Sequence, residues 1–415
     1  MNDFLALWGH WMRPSAGLPI VQWSILLAIA AAAGHLVHRH MALPKVVGYS
    51  VVGTLAGLAG FSGAVWPLQG MSLFLLELGV SIVLFEVGGR IALRWFRHNP
   101  MVLLQSLLEA ALTYACVYGL LRWLEVRPSI ADALALVAIV SSPAVLTRVV
   151  EDTRGAGPVT ERAVVLSALG ALYGLTLVAA RASVLQNPET NLAVLLAPIG
   201  VVLGISVLAG AVLALVLRLA LHLMSPASEN TAILLIASIA AGSALAAHLG
   251  GSAPLAALLA GILLKHVHRR PWSWPRQLGT AASLLVMLCF VLVSVIAAQA
   301  PWNPAVASLV VALIVARAVA KLLGVLLANP GSGTSWRQAL LTGWAMSPMS
   351  CLALLLVSQL ASASSRIGPF ITAIGLPAIL LMEVLGAIIA TIVIHQARES
   401  SRIVAAPGPV GVQRA

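Results

Sequence analysis

Seven ionisable side chains lie inside long apolar stretches of this chain, and their types limit the chemistry open to it. An acid or base held within a membrane is costly and rare, so its presence first indicates function. Carboxylates in such places can bind protons or cations, and bases can pair with them. The seven residues are Glu77, Glu86, Glu109, Asp132, Arg317, Lys321 and Glu383.

Two pairs among these stretches have helical spacing. Glu86 and Arg90 are four residues apart, so they share a helix face and can form an ion pair, either as a structural clamp or as a coupling site. Arg317 and Lys321 are also four apart, and two cations on one face need a carboxylate, a helix dipole or water opposite them. We expect these two bases to tie unwound helices together.

A third feature is the run Ser141-Ser142-Pro143 in the middle of an apolar stretch. Proline lacks the N–H that an unbroken helix would use, and its ring crowds the preceding turn. Non-helical backbone at membrane depth is tolerated where it lines a cavity, and transporters use such breaks at ion sites. The sequence therefore predicts a helix break at Pro143.

Motifs typical of enzymes and metal sites are absent from the sequence. It contains no His-Glu zinc motif, no nucleophile elbow and no Gly-rich phosphate loop. The three cysteines, Cys116, Cys289 and Cys351, lie in apolar segments without metal-ligand spacing. We predict that the protein is not an enzyme and has neither a cofactor nor a resident metal.

The composition is that of a membrane protein. Of 415 residues, 60% are hydrophobic and only 9% are charged, against about 25% in soluble domains. That excludes a water-soluble globular protein. The formal charge of +11 does not indicate nucleic-acid binding, because the bases are scattered between apolar runs and form no patch.

A bilayer-spanning helix needs about 20 mainly apolar residues. By that measure the sequence predicts an all-α polytopic membrane protein with about thirteen transmembrane helices, or twelve if one segment is re-entrant. The segments are 20–37, 44–62, 71–93, 101–121, 130–150, 163–184, 192–222, 231–249, 253–268, 278–299, 304–328, 335–360 and 370–395.

The distribution of bases supports this count and predicts an orientation. Leaving aside Arg317 and Lys321, seventeen Lys and Arg residues fall on one side of the thirteen segments and five on the other. By the positive-inside rule, residues 1–19 form an N-terminal segment outside and the Lys265–Arg276 loop is cytoplasmic. Residues 20–395 form the transmembrane domain, and residues 396–415 a disordered cytoplasmic tail. We predict a multi-pass protein of the cell (inner) membrane.

Several stretches, in order along the chain, resemble the monovalent cation:proton antiporters of the second, mainly bacterial branch, which are sodium/hydrogen exchanger-like. Each stretch alone is a weak signal, but the ordered set is fairly specific. The stretches are Pro44–Tyr49 with Gly53 and Gly57; Glu77–Gly79 through Phe85 and Gly88; Ser141–Val145; His248–Ser252 leading to Leu259–Gly261; and Ala316–Arg317 with Lys321 and Gly324.

The resemblance implies two inverted repeats that form a dimerisation panel and a mobile core. It implies two discontinuous helices that cross at mid-membrane, here expected around Ser141–Pro143 and around Leu285–Ser294. It also implies elevator-like exchange of a monovalent cation (Na⁺ or K⁺) for protons, in a homodimer embedded in the lipid bilayer.

One departure from the family pattern bears on mechanism. In the family, the span after the serine stretch carries one or two acids that bind cation and proton alternately. The equivalent window, Leu169–Gly174, has no carboxylate, and none occurs from Ala163 to Gln186. We expect the break at Ser141–Pro143 to face this window near the centre of the protein.

The sequence leaves several functions open. The protein can be a proton-coupled antiporter whose titrating acid has moved, with Glu86 as first candidate, then Glu109 and Glu383. It can instead keep the fold without proton coupling, as a uniporter, a channel-like pore or a non-transporting membrane protein. A transporter of a neutral or anionic solute would suit the buried bases Arg317 and Lys321. Ser141 and Ser142 complete the candidate ion pathway.

Overall fold

The computed structural model describes residues 17–61, 63, 65–186, 192–224, 228–267 and 276–401. Sixteen helices lie in this part of the chain. They are α1 (Gly17–Met41), α2 (Lys45–Leu58), α3 (Gly70–Arg90), α4 (Leu93–His98), α5 (Met101–Trp123), α6 (Pro128–Ile139), α7 (Pro143–Thr153), α8 (Pro158–Gln186), α9 (Leu192–Leu223), α10 (Glu229–His248), α11 (Ala253–Val267), α12 (Arg276–Ala298), α13 (Pro304–Leu327), α14 (Trp336–Ala345), α15 (Cys351–Ala363) and α16 (Gly368–Gln396).

The predicted all-α, polytopic architecture is confirmed. Within the described residues, nine helical stretches are long and apolar enough to cross a membrane, counting 128–153 as one, and four shorter apolar helices join them. These thirteen stretches correspond one to one with the thirteen predicted segments. Large apolar side chains on α9, such as Leu208 and Leu219, are more than half exposed, as expected of a surface that faces lipid.

Fourteen of the sixteen described helices form two groups, and α9 packs against both α8 and α11. We call α1–α3 and α10–α12 the scaffold, and α5–α8 and α13–α16 the core. In the scaffold, α3 packs against α11 at two glycines, Gly88 and Gly261. A Cβ on Gly88 would overlap the carbonyl of Leu258, and one on Gly261 would overlap that of Phe85, so only glycine allows this close approach.

The core contains the same helical pattern twice. A long helix (α5 or α13) is followed by a helix in two halves (α6–α7 or α14–α15) and then by a 29-residue helix (α8 or α16). The first set begins at the fourth span and the second at the eleventh. The chain crosses seven times between these two starting points, so the two sets begin on opposite sides of the membrane and run in opposite directions, as inverted repeats do.

Three of the predicted segments lie mostly outside the described residues, because the structure does not describe residues 1–16, 268–275 and 402–415. They are the N-terminal segment, the Lys265–Arg276 loop and the tail. Residues 397–401 follow α16 and contact the start of α8. There the Glu399 carboxylate accepts hydrogen bonds from the backbone N–H groups of Val159 and Thr160, each at 2.8 Å.

Candidate functional site

The predicted break at Pro143 is present. Helix α6 ends at Ile139 and α7 begins at Pro143, and the connecting residues are extended. Ser141 and Ser142 are each 1% exposed, and the Ser142 hydroxyl caps α7 by accepting from the N–H of Val145. The break also contacts the predicted window, since a Cβ on Gly170 would lie 3.5 Å from the carbonyl oxygen of Ile139.

The second break lies elsewhere than predicted. The expected partner segment, Leu285–Ser294, lies within α12, which is continuous from Arg276 to Ala298 and has neither proline nor glycine after Gly279 to interrupt it. The chain instead unwinds at 346–350, between α14 and α15. This segment contains Ser347-Pro348, which repeats the Ser142-Pro143 dipeptide of the first break and was the signal that the sequence analysis missed.

The two unwound segments bond directly to each other. The backbone N–H of Ser142 donates to the carbonyl of Pro348 at 2.8 Å, and the Ser141 hydroxyl donates to the carbonyl of Met346 at 2.8 Å. The half-helices therefore meet end to end in the centre of the core. Two C-terminal ends, of α6 and α14, bring unsatisfied carbonyls to this point.

Arg317 satisfies those carbonyls. It comes from α13, is 1% exposed, and donates to both half-helix ends at once. Nε and Nη2 bond the carbonyls of Ala138 and Val140 at 3.0 and 2.9 Å, while Nη1 bonds that of Ser347 at 2.6 Å. The expectation that this base ties unwound helices together is met, and the negative ends of the two helix dipoles explain why a cation is held there.

Lys321, one turn further along α13, has two partners. Its ammonium donates to the carbonyl of Ile139 at 2.9 Å and forms an ion pair with Glu109 of α5. Both side chains are at most 1% exposed. Of the three kinds of partner that the sequence left open for these bases, Lys321 has a carboxylate, that of Glu109, a residue 212 positions away in the chain.

The window where the family carries its acids is occupied by a neutral pair. Tyr173 of α8 is half-buried, and its hydroxyl lies 2.9 Å from the hydroxyl of Ser106. Neither group exchanges a proton for a cation near neutral pH. The predicted lack of an acid at Leu169–Gly174 is therefore not made up by the hydroxyl partner of Tyr173.

Glu383 lies near the middle of α16. It is fully buried and accepts hydrogen bonds from three serine hydroxyls, at 2.5, 3.1 and 2.8 Å from Ser50, Ser294 and Ser350. One turn later Gly386 packs on the second break, where a Cβ would come within 2.5 Å of the Cα of Pro348. Sequence reasoning named Glu383 but none of its three partners.

The remaining acids lie away from the crossing. Glu86 is at the end of α3, where Arg90 bonds it at 2.6 Å, as its spacing predicted, and also reaches Glu151 of α7 at 3.2 Å. Asp132 of α6 is paired with Arg181 at 2.5 Å.

Two cavities lie between α3 of the scaffold and α8 of the core, one towards each end of these helices. The larger, of about 920 Å³, is lined by Glu77, Ser183, Ser252 and Gln359 among others. The smaller, of about 340 Å³, lies at the opposite end of α3 and is lined by Arg90, Trp95 and Thr160 among others. Both approach the boundary between scaffold and core, from opposite sides.

The family model described as "Sodium/hydrogen exchanger, transmembrane" matches residues 24–397. The chain belongs to the sodium/hydrogen exchanger family. No curated protein matches it. Two structures of the sodium proton antiporter MjNhaP1 from Methanocaldococcus jannaschii are similar to it in fold. The one at pH 8 has a TM-score of 0.68 at 14% identity, covering 91% of this chain and 98% of that chain. An electron-microscopy map has a TM-score of 0.73 at 13% identity, covering 92% and 98%.

Membership of the exchanger family confirms the resemblance drawn from the ordered motifs, and with it a polytopic membrane protein that is not an enzyme. Among the described residues, no group of three or more His, Cys, Asp and Glu side chains is placed to hold a metal ion.

Proposed function

We propose that this protein is a secondary transporter that exchanges a monovalent cation, Na⁺ or K⁺, for protons. The observation that carries the proposal is the pair of unwound segments, 140–142 and 346–350, joined by Arg317 at the centre of the core. Such discontinuous helices expose backbone dipoles at mid-membrane, where they can stabilise ions during transport. Family membership makes exchange of a cation for a proton the expected reaction.

We further propose that transport follows the elevator scheme, in which the core moves against the scaffold. The two cavities between α3 and α8 support this, because each approaches the same boundary from one end. The helices on either side pack as separate groups, so one can slide while the other stays fixed. That the protein is a homodimer in the inner membrane stays a prediction.

The structure bears differently on the two alternative functions, transport of an anionic solute and transport without proton coupling. Transport of an anionic solute is disfavoured, because Arg317 and Lys321 are bound to carbonyls and to Glu109 and offer no cationic site. A transporter without proton coupling is favoured by one observation, the neutral Tyr173–Ser106 pair in the family's acid window. The experiment must therefore distinguish coupled from uncoupled movement.

Purified protein in liposomes with an internal pH dye tests this proposal. We expect an outward gradient of Na⁺ or K⁺ to acidify the lumen, as protons enter in exchange, while choline gives no signal. Adding Li⁺ to the series shows how the rate of exchange depends on the size of the cation. Flux of radioactive ²²Na⁺ or ⁸⁶Rb⁺ without movement of protons would identify an uncoupled pore, and the absence of both would contradict transport altogether.

The orientation is tested by labelling engineered cysteines in a parent that lacks Cys116, Cys289 and Cys351. Glu125, between α5 and α6, and Lys265, at the end of α11, are both exposed and should lie on opposite sides. We expect a membrane-impermeant maleimide to label Glu125→Cys in intact cells and Lys265→Cys only after lysis. Labelling of Lys265→Cys in intact cells would reverse the orientation, and the cysteine-free parent gives the background.

A further inference from the structure

The Glu383 site differs from every other acid site in the described membrane helices. Its carboxylate is fully buried and has three hydroxyl partners, but no Lys, Arg or His in the described part of the chain forms an ion pair with it. A buried, ionised carboxylate without a countercharge is strongly unfavourable. This group therefore needs a partner of single positive charge, which is a proton or one monovalent cation.

The groups around Glu383 supply no such charge. The titratable side chains that face it are the thiols of Cys289 on α12 and Cys351 on α15. The charged side chains that the structure describes on the helices packed against α16 have partners elsewhere. These pairs are Arg317 with the carbonyls of the breaks, Lys321 with Glu109, Lys45 with Asp152, Arg148 with Glu151, Asp132 with Arg181, and Arg337 with the carbonyl of Gln396.

The inverted repeat relates the position of Glu383 on α16 to a position on α8. Helices α8 and α16 are each 29 residues long and each follows a broken helix. Tyr173 is the sixteenth residue of α8, counted from Pro158, and Glu383 is the sixteenth of α16, counted from Gly368. Counted from the helix starts, the acid on α16 lies at the position that corresponds to the window without an acid on α8.

We propose that Glu383 is the coupling acid of this protein, binding a proton and a monovalent cation in turn with the hydroxyls of Ser50, Ser294 and Ser350. This proposal rests on the proposed function and names the site at which it takes place. A cation M⁺ displaces the proton: Glu–COOH and M⁺ give Glu–COO⁻M⁺ and H⁺. One carboxylate balances one charge, which favours a monovalent over a divalent ion.

The serines suit this role by chemistry and by location. Hydroxyl and carboxylate oxygens are hard ligands, which bind hard cations well. Ser350 is the last residue of the second break, directly before α15, and its side chain donates to Glu383 instead of capping that helix. The positive end of the α15 dipole therefore lies beside the carboxylate and favours its ionised form.

The site also spans the boundary between the two helix groups. Ser50 of α2 and Ser294 of α12 belong to the scaffold, whereas Ser350 and Glu383 belong to the core. All four are fully buried, so an ion reaches the site only when core and scaffold separate. Movement of the core would remove two hydroxyl ligands and open the carboxylate to solvent.

Proton release on cation binding tests the proposal without requiring transport. Detergent-solubilised protein in weak buffer with a pH indicator is titrated with NaCl or KCl, and choline chloride serves as the blank. We expect about one proton released per protein molecule by the wild type. Glu383→Gln should release none, whereas Glu383→Asp, which keeps the titrating group, should release protons at higher cation concentration.

Matched variants separate ligand loss from misfolding. Ser350→Ala and Ser294→Ala should each raise the cation concentration at half-release about three- to tenfold. Glu77→Gln removes an acid from the large cavity and should leave proton release unchanged. Size-exclusion profiles and melting temperatures confirm that each variant is folded, and if Glu383→Gln fails this check the Glu383→Asp and serine variants decide.

The experiments can disprove the assignment of Glu383 and the exchanger function separately. Release of protons by folded Glu383→Gln at wild-type level, together with exchange in liposomes, would overturn the site while leaving the exchanger function intact. Release that depends on Glu383 without exchange in liposomes would keep the site and overturn transport. No release by the wild type at any pH between 5 and 9 would overturn the site.

Discussion

Replacing Arg317 by alanine is expected to disrupt the centre of the core. The guanidinium donates to carbonyls at the ends of both α6 and α14, and among the described residues no other side chain is seen to donate to both ends. Its removal leaves buried carbonyls without donors and two facing dipoles without a countercharge. Breaking a buried ionic interaction typically costs about 3–5 kcal/mol, so we expect a large loss of folded protein and of transport.

Arg317→Lys and Arg122→Ala are the matched comparisons. Lysine keeps the charge but cannot bridge both ends with a planar fork, so an intermediate loss of stability is expected. Arg122 is exposed and bonds a single carbonyl, that of Val126, so its truncation should cost little. Thermal melting in detergent measures all three. A melting temperature of Arg317→Ala equal to that of Arg122→Ala would contradict the role assigned to Arg317.

The Glu109–Lys321 pair should behave as a unit in a double-mutant cycle. Lys321→Met leaves Glu109 charged and buried without its partner, and we expect a destabilisation of about 3–5 kcal/mol. The double variant Glu109→Leu/Lys321→Met removes both charges and should recover most of this loss. Reversible unfolding in denaturant, followed by tryptophan fluorescence, measures the four proteins of the cycle.

The outcome also separates structural from coupling roles for Glu109. If the double variant is stable and still exchanges cations for protons, Glu109 is structural and the coupling acid lies elsewhere. Additive effects of the two single changes would show that the side chains do not form the ion pair. A stable double variant without exchange would favour Glu109 over Glu383 as the titrating group.

What the sequence predicted well depended on local or periodic signals. The thirteen spans follow from apolar length, and the break at Pro143 from a missing N–H. The Glu86–Arg90 pair follows from spacing along one helix. These features need no knowledge of which helices are neighbours.

What it predicted poorly depended on contacts between distant helices. The partner of Lys321 is 212 residues away, and Ser50 is 333 residues from Glu383, so no spacing rule connects them. Glu86 was the first candidate for the titrating acid because of its position well inside the third span, and the structure places it in an ion-pair network with Arg90 and Glu151 towards the end of α3. The second break was expected at Leu285–Ser294 from the resemblance to the antiporter family. The repeated Ser-Pro dipeptide, Ser347-Pro348, was the better physical signal for its position.

Exchange by Glu383→Gln and Glu383→Asp, measured beside the wild type in the same liposomes, tests most directly whether Glu383 couples cations to protons. We expect the wild type to acidify the lumen when Na⁺ or K⁺ leaves, Glu383→Asp to do so more slowly, and folded Glu383→Gln not to do so at all. Wild-type exchange by folded Glu383→Gln, with unchanged dependence on pH, would contradict coupling through this residue.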